Sequence, residues 1–122
     1  MKSLNHLMLI GHLAADVELR QTKNGRNMAT FPIAINRMVK TEDGKQEIAD
    51  FHRVVVWGKL AEISEKHLAK GTAVCIIGRI INRSFDDKAG VKQFRTEIIA
   101  DDLRILTWKK IAGLKQGVSV EA

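Results

Sequence analysis

Short apolar segments alternate with polar turn signals along most of this chain. The first segment, Leu7-Met8-Leu9-Ile10, is bordered by Asn5, His6 and His12. Those polar neighbours break up what would otherwise resemble a short secretory signal, and the segment predicts a first strand. Lys23-Asn24-Gly25-Arg26 carries the Asn-Gly pair favoured in tight hairpins, because both residues tolerate positive φ. Glu42-Asp43-Gly44-Lys45 repeats the signal, and Asp86-Asp87-Lys88-Ala89-Gly90 makes a third, longer turn. Strands between such turns point to a sandwich or a small barrel.

One stretch departs from this rhythm. Over residues 59–70 the positions Leu60, Ile63, His67 and Leu68 follow helical spacing, and Gly71 stands where a C-cap belongs. Lys66 and Lys70 would lie in the last turn, where the helix dipole favours cations. The order is therefore three strands, one helix and two more strands. That predicts an all-β fold with one helix, the OB-fold, a five-stranded Greek-key barrel. Residues 1–108 form this domain. Past Trp108, itself read as a packing residue, the pattern dissolves, and residues 109–122 read as a short, basic, flexible tail.

Composition narrows the reading. A chain of 122 residues suits one domain, and its 45% hydrophobic content excludes wholesale disorder. The excess of 20 basic over 14 acidic residues, a net +6, suits a polyanionic partner without specifying one. Cys75 is the sole cysteine, so no intrachain disulfide forms; it reads as a small buried hydrophobe in a reducing compartment. No apolar run reaches the ~20 residues of a membrane helix.

The most informative stretch is Phe51-His52-Arg53-Val54-Val55-Val56-Trp57. Alternate strand residues share a face. Phe51, Arg53, Val55 and Trp57 therefore lie together, while His52, Val54 and Val56 point toward a core. A later strand repeats the device with Arg79, Ile81, Arg83 and Phe85 on one parity. Rings offer base-stacking platforms and cations track phosphates, the combination that sequence-tolerant single-strand binding requires. Parity alone leaves core packing of these aromatics open.

The residues around these strands resemble bacterial single-stranded DNA-binding proteins over roughly residues 2–107. The resemblance rests on Leu4-Asn5-His6-Leu7 through Gly11, on Asp16-Val17-Glu18-Leu19-Arg20 with Asn24-Gly25, and on Phe51-His52-Arg53-Val54-Val55-Val56-Trp57-Gly58-Lys59-Leu60-Ala61-Glu62. Lys70-Gly71, Gly78-Arg79, Phe94-Arg95-Thr96-Glu97 and Ala100-Asp101 continue in register. It implies base stacking at Phe51, Trp57 and Phe85. Arg53, Lys59, Lys70 and Arg83 match basic positions presented to phosphates, and Arg79 joins them by strand parity. Val39 falls where the family commonly has another stacking tryptophan, leaving Arg37 and Lys40 beside it to offer charge. The resemblance also implies a homotetramer, with a dimer as the alternative, and places Leu4, His6, Met8 and His52 at subunit contacts. The acidic peptide with which such proteins recruit replication enzymes has no counterpart in Val118-Ser119-Val120-Glu121-Ala122, so recruitment by that route is not expected.

The remaining candidates read blandly. The spacings of His6, His12, His52 and His67 match no zinc pattern, so no metal and no other cofactor is expected. Asp86-Asp87 reads as a turn pair and Asp101-Asp102 as a strand-end pair. No nucleophile motif or phosphate-cradling glycine loop is present, and no enzymatic activity is expected. The sequence therefore predicts sequence-independent binding and protection of single-stranded DNA during replication, recombination or repair. The expected setting is the cytoplasm of a bacterial cell, on the nucleoid or a plasmid. The rival reading is a primosomal or mobile-element adaptor acting through protein contacts, and RNA is a third possible ligand.

Overall fold

The computed structural model describes residues 1–106; the expected domain boundary at 108, the basic tail and Trp108 lie outside the described residues. The elements are β1 (Leu7–Leu13), β2 (Glu18–Gln21), β3 (Asn27–Thr41), β4 (Gly44–Trp57), α1 (Lys59–His67), β5 (Ala73–Asp86) and β6 (Lys92–Ile105). All three turn signals fall between paired strands, at β2–β3, β3–β4 and β5–β6.

The sheet runs β1-β5-β6-β4-β3-β2 and closes where β1 also pairs with β3, His12 against Ala34 and Leu13 against Ile33. β2 continues along β3, Glu18 against Thr30 through Gln21 against Asn27. β1 and β2 are thus two halves of one bent strand, interrupted at residues 14–17, and the barrel is five-stranded as expected. Pro32 occupies this interruption. Its carbonyl accepts the Ala14 N–H at 2.9 Å, and the N–H that proline lacks faces the same side, where no strand needs it.

Inside the barrel, the alternate residues Ala29, Phe31 and Ile33 of β3 meet Val54 and Val56 of β4, Val74 and Ile76 of β5, and Ile98 and Ala100 of β6. Val54 and Val56 take the inward parity expected of them, while His52, on the same parity, is exposed. Cys75 is buried. Two glycines mark where backbones approach too closely for a side chain. A Cβ on Gly11 would strike the Ala34 carbonyl at the closure point, and one on Gly78 would strike the Ile99 carbonyl beside the β5–β6 bulge.

The helix differs from its expected form. It ends at His67, with Leu68 extended as C-cap, rather than reaching residue 70. Gly71 lies in the following turn, its N–H bonded to the Leu13 carbonyl at 2.8 Å, and Lys70 is outside the last helical turn. The buried face is also rotated. Ala61, Ser64 and Leu68 turn inward, while Ile63 and His67 are exposed and Leu60 is half-buried. Small residues let the helix sit close against the barrel, and the Ser64 hydroxyl is satisfied by donating to the Leu60 carbonyl at 2.8 Å. Among the described residues no helix is long and apolar enough to cross a membrane.

Gly78→Ala should lower stability by about 1–3 kcal/mol, the usual range for an overpacked interior position. Urea unfolding checks this. An unchanged midpoint would show that the β5–β6 contact relaxes freely.

Candidate nucleic-acid interface

β4 pairs with β6 in parallel only over residues 53–56 and 97–100. Below that seam the strands part. β4 continues with β3 to the Thr41–Gly44 end, and β6 continues with β5 to the Asp86–Lys92 end, making two separate two-stranded arms. At the fork lies a groove of about 650 Å³ whose lining includes Phe51, His52, Arg53, Arg95 and Thr96.

The outer face carries the expected stacking residues. Phe51, Arg53, Val55 and Trp57 of β4 lie beside Glu97 and Ile99 of β6, which in turn pair with Ile81 and Arg79 of β5. Arg83 and Phe85 continue the same parity into the second arm. Phe51 is the most open ring, 64% exposed, against 38% for Phe85 and a half-buried Trp57. None of the three belongs to the core cluster. Two strands read separately in the sequence thus present one surface.

The expected phosphate contacts divide. Arg53 Nε donates to Glu97 Oε2 at 2.7 Å and Arg83 donates to the same oxygen at 3.1 Å, with the glutamate side chain only 2% exposed. Arg79 pairs with Asp101 at 2.9 Å and Arg37 with Asp50 at 2.7 Å. Arg37 has the parity of Ile33 and Ile35, opposite to Phe51, so the structure does not bring it to the ring-bearing face. Val39 shares that inner parity and is half-buried. Lys40 has the parity of Phe51 but stands at the far end of its arm. Lys59 opens α1 two residues after Trp57, and Lys70 donates its backbone N–H to Asp16 at 2.8 Å. The lysines Lys40, Lys59 and Lys70 are exposed, and none forms an ion pair among the described residues.

The second arm is held at its tip by Asp87. Its carboxylate accepts the Ala89 and Val91 N–H groups, both at 2.9 Å, and the Gln93 amide at 3.0 Å. The Val91 hydrogen bond is the largest influence, and together these bonds outweigh desolvation and hold the carboxyl below its ordinary value.

Several residues of this face were not singled out in the sequence. Arg26 places its guanidinium 4.5 Å from the Trp57 ring centroid, and Arg95 lies 5.0 Å from that of Phe85. On the opposite parity, with Thr96 and Ile98, Phe94 is 72% exposed and has the Lys92 ammonium 5.7 Å from its ring. Phe94, Arg95 and Glu97 were legible only as parts of a family segment. Strand register, which sequence does not supply, is what brings these groups onto their partners.

The candidate subunit contacts Leu4, His6 and Met8 lie at alternate positions that are all exposed, and Ile10, 60% exposed, extends the row. His52 stands apart on β4, opposite Ile33. Asn5 ties this segment down, its side chain bonding both the N–H and the carbonyl of Ile80 at 3.0 and 2.7 Å.

Glu97→Ala should cost roughly 1–3 kcal/mol of stability, since two guanidiniums lose a buried acceptor. Their own partial exposure, 38% and 50%, tempers the loss through solvent screening. Urea unfolding of this variant beside Glu97→Gln, which retains an acceptor oxygen and should lose less, measures the contribution.

The chain matches the model of the single-strand binding protein family over residues 4–106. It is 43% identical over 114 residues to "Single-stranded DNA-binding protein 1" of Chlorobaculum tepidum, covering 92% of this chain and 70% of that one. It is 44% identical over 103 residues to "Single-stranded DNA-binding protein 2" of Staphylococcus aureus, covering 84% and 73%. Among solved structures, a Plasmodium falciparum SSB complex with ssDNA superposes with a TM-score of 0.79 at 29% identity, covering 87% of this chain and 97% of that one. A closed barrel with one helix, matched over nearly all its described length, places the chain in the single-strand binding protein family.

Proposed function

We propose that the protein binds single-stranded DNA with little regard to base order, holding and protecting the strand without acting on it chemically. The observation that carries this reading is the outer face shared by β4, β6 and β5, with Phe51, Trp57 and Phe85 interspersed among Arg53, Arg79 and Arg83. Bases stack on rings whatever their identity, which gives affinity without sequence readout. The family membership and the ssDNA-bound structural neighbour support the same ligand. Protection of exposed strands during replication, recombination or repair, in a bacterial cytoplasm, is the corresponding role.

Homotetramer formation is part of the proposal. The exposed row Leu4, His6, Met8 and Ile10 leads into β1, whose central residues pair only with β5. An apolar row beside an open strand edge suits a second copy of the chain.

Titration with oligo(dT) at two salt concentrations tests the binding. Affinity should fall with salt, the logarithmic slope increasing by about 0.7 for each phosphate contacted. Phe51→Ala and Trp57→Ala should each weaken binding by ~1–3 kcal/mol without changing the oligomer. Loss of folding with unchanged affinity per folded molecule would return these rings to a packing role. For the assembly, Ile10→Glu should reduce the mass measured by sedimentation from that of the wild type toward a smaller species. An unaltered mass would remove the β1 row from the interface.

A further inference from the structure

Every arginine of this chain except Arg26 and Arg95 has a carboxylate within 4.0 Å among the described residues. Those two instead lie over Trp57 and Phe85, two of the proposed stacking rings. The coincidence divides the face into two kinds of position. Phe51 is a bare ring beside Arg53, which is paired with a Glu97 carboxylate that it shares with Arg83. Trp57 and Phe85 are rings covered by guanidiniums that pair with no acidic side chain among the described residues.

Resting on the single-strand binding proposed above, we propose that Arg26 and Arg95 are further DNA-binding residues. Each covers its ring in the free protein, yields the ring to an incoming base, and then pairs with the phosphate next to that base. The magnitudes favour the exchange. An exposed cation–ring contact is worth about two- to fivefold in an equilibrium, while a base stacked on a ring is worth roughly five- to 150-fold. The displaced guanidinium does not go unpaired, because a phosphate beside the base offers a charge-assisted acceptor.

Position supports this assignment independently. Arg95 is the direct cross-strand partner of Arg83 on the arm formed by β5 and β6. Like charges directly opposite destabilise a sheet. Glu97 answers Arg83 but not Arg95, so this pair favours arrival of an outside anion. Arg26 is anchored at the base of its turn, its N–H donating to Thr22 Oγ1 at 3.2 Å and its carbonyl accepting the Thr22 N–H at 2.8 Å. Its backbone is fixed while its exposed side chain can leave the ring.

The test is oligo(dT) titration across salt concentrations with wild type, Arg26→Ala, Arg95→Ala and Arg26→Lys. The Trp108→Phe background leaves Trp57 as the sole tryptophan emitter. Each alanine variant should weaken binding about fivefold at moderate salt and reduce the salt slope by about 0.7, the loss of one single-strand phosphate contact. Arg26→Lys should restore the slope, since an ammonium also pairs with phosphate. Arg26→Ala should also change Trp57 emission in the free protein, and DNA should bring both forms toward the same emission. Wild-type binding with unchanged variant affinity and slope would overturn the inference and leave the proposed function standing. Tighter binding by the alanine variants at an unchanged slope would also overturn it, marking the arginines as covers that obstruct the rings. No binding by the wild type would overturn both, and matching thermal midpoints exclude misfolding as the cause of any loss.

Discussion

The architecture turns on the short parallel seam between residues 53–56 and 97–100. It joins the hairpin of β3 and β4 to that of β5 and β6, so the barrel cannot close without it. Val54 and Val56 from one side, with Ile98 and Ala100 from the other, put core residues at the join. On the outer surface of the same seam, Glu97 receives Arg53 and Arg83, tying all three strands together with one buried carboxylate. Where the seam ends, the arms part and the groove begins. Closure, core and binding face therefore share one structural cause, namely that β4 and β6 pair briefly and then diverge.

This arrangement alters what the net charge means. A formal +6 suggests a broadly attractive surface, yet most arginines are engaged with carboxylates of the chain itself. Arg53 and Arg83 shape the surface as much as they charge it. Their shared glutamate fixes where the guanidiniums stand, and in the proposed binding mode this rigidity reduces the ordering cost. Charge available for new pairing is concentrated instead in exposed lysines such as Lys59 and in the two arginines laid over rings. In the proposed binding mode the rings meet the bases and these cations meet the backbone.

The sequence made the barrel legible because its signals were local. Asn24-Gly25 and Asp43-Gly44 fixed turns, and strand parity correctly separated Val54 and Val56 from Phe51 and Trp57. The helix was less legible. Apolar spacing highlighted Ile63 and His67, but docking against the barrel selected Ala61 and Ser64, whose small size permits close approach. The site was legible strand by strand and not between strands. Parity found Phe51, Trp57 and Phe85, whereas Arg26 over Trp57 and Glu97 beneath two arginines depend on contacts between distant segments. The orientation of Arg37 depends on such a contact too. Its proximity in sequence to Val39 and Lys40 says nothing about Asp50, which holds it on the opposite face of the arm.

Val39 shows how the divided face can tolerate the loss of a platform. A valine at this position offers no ring, and its inward parity turns it from the surface that bears Phe51. A site built from one uninterrupted aromatic track would lose continuity there. Here the open Phe51 lies near the root of the first arm, Trp57 stands at the barrel end of the same strand, and Phe85 lies near the tip of the second. The spaces between them hold charged and aliphatic groups rather than further rings. A flexible single strand can bridge such spaces through its phosphates, since its backbone charge repeats at every nucleotide while only some bases need to stack. Sequence tolerance then comes from both components, because neither a ring face nor a guanidinium on a phosphate distinguishes one base from another.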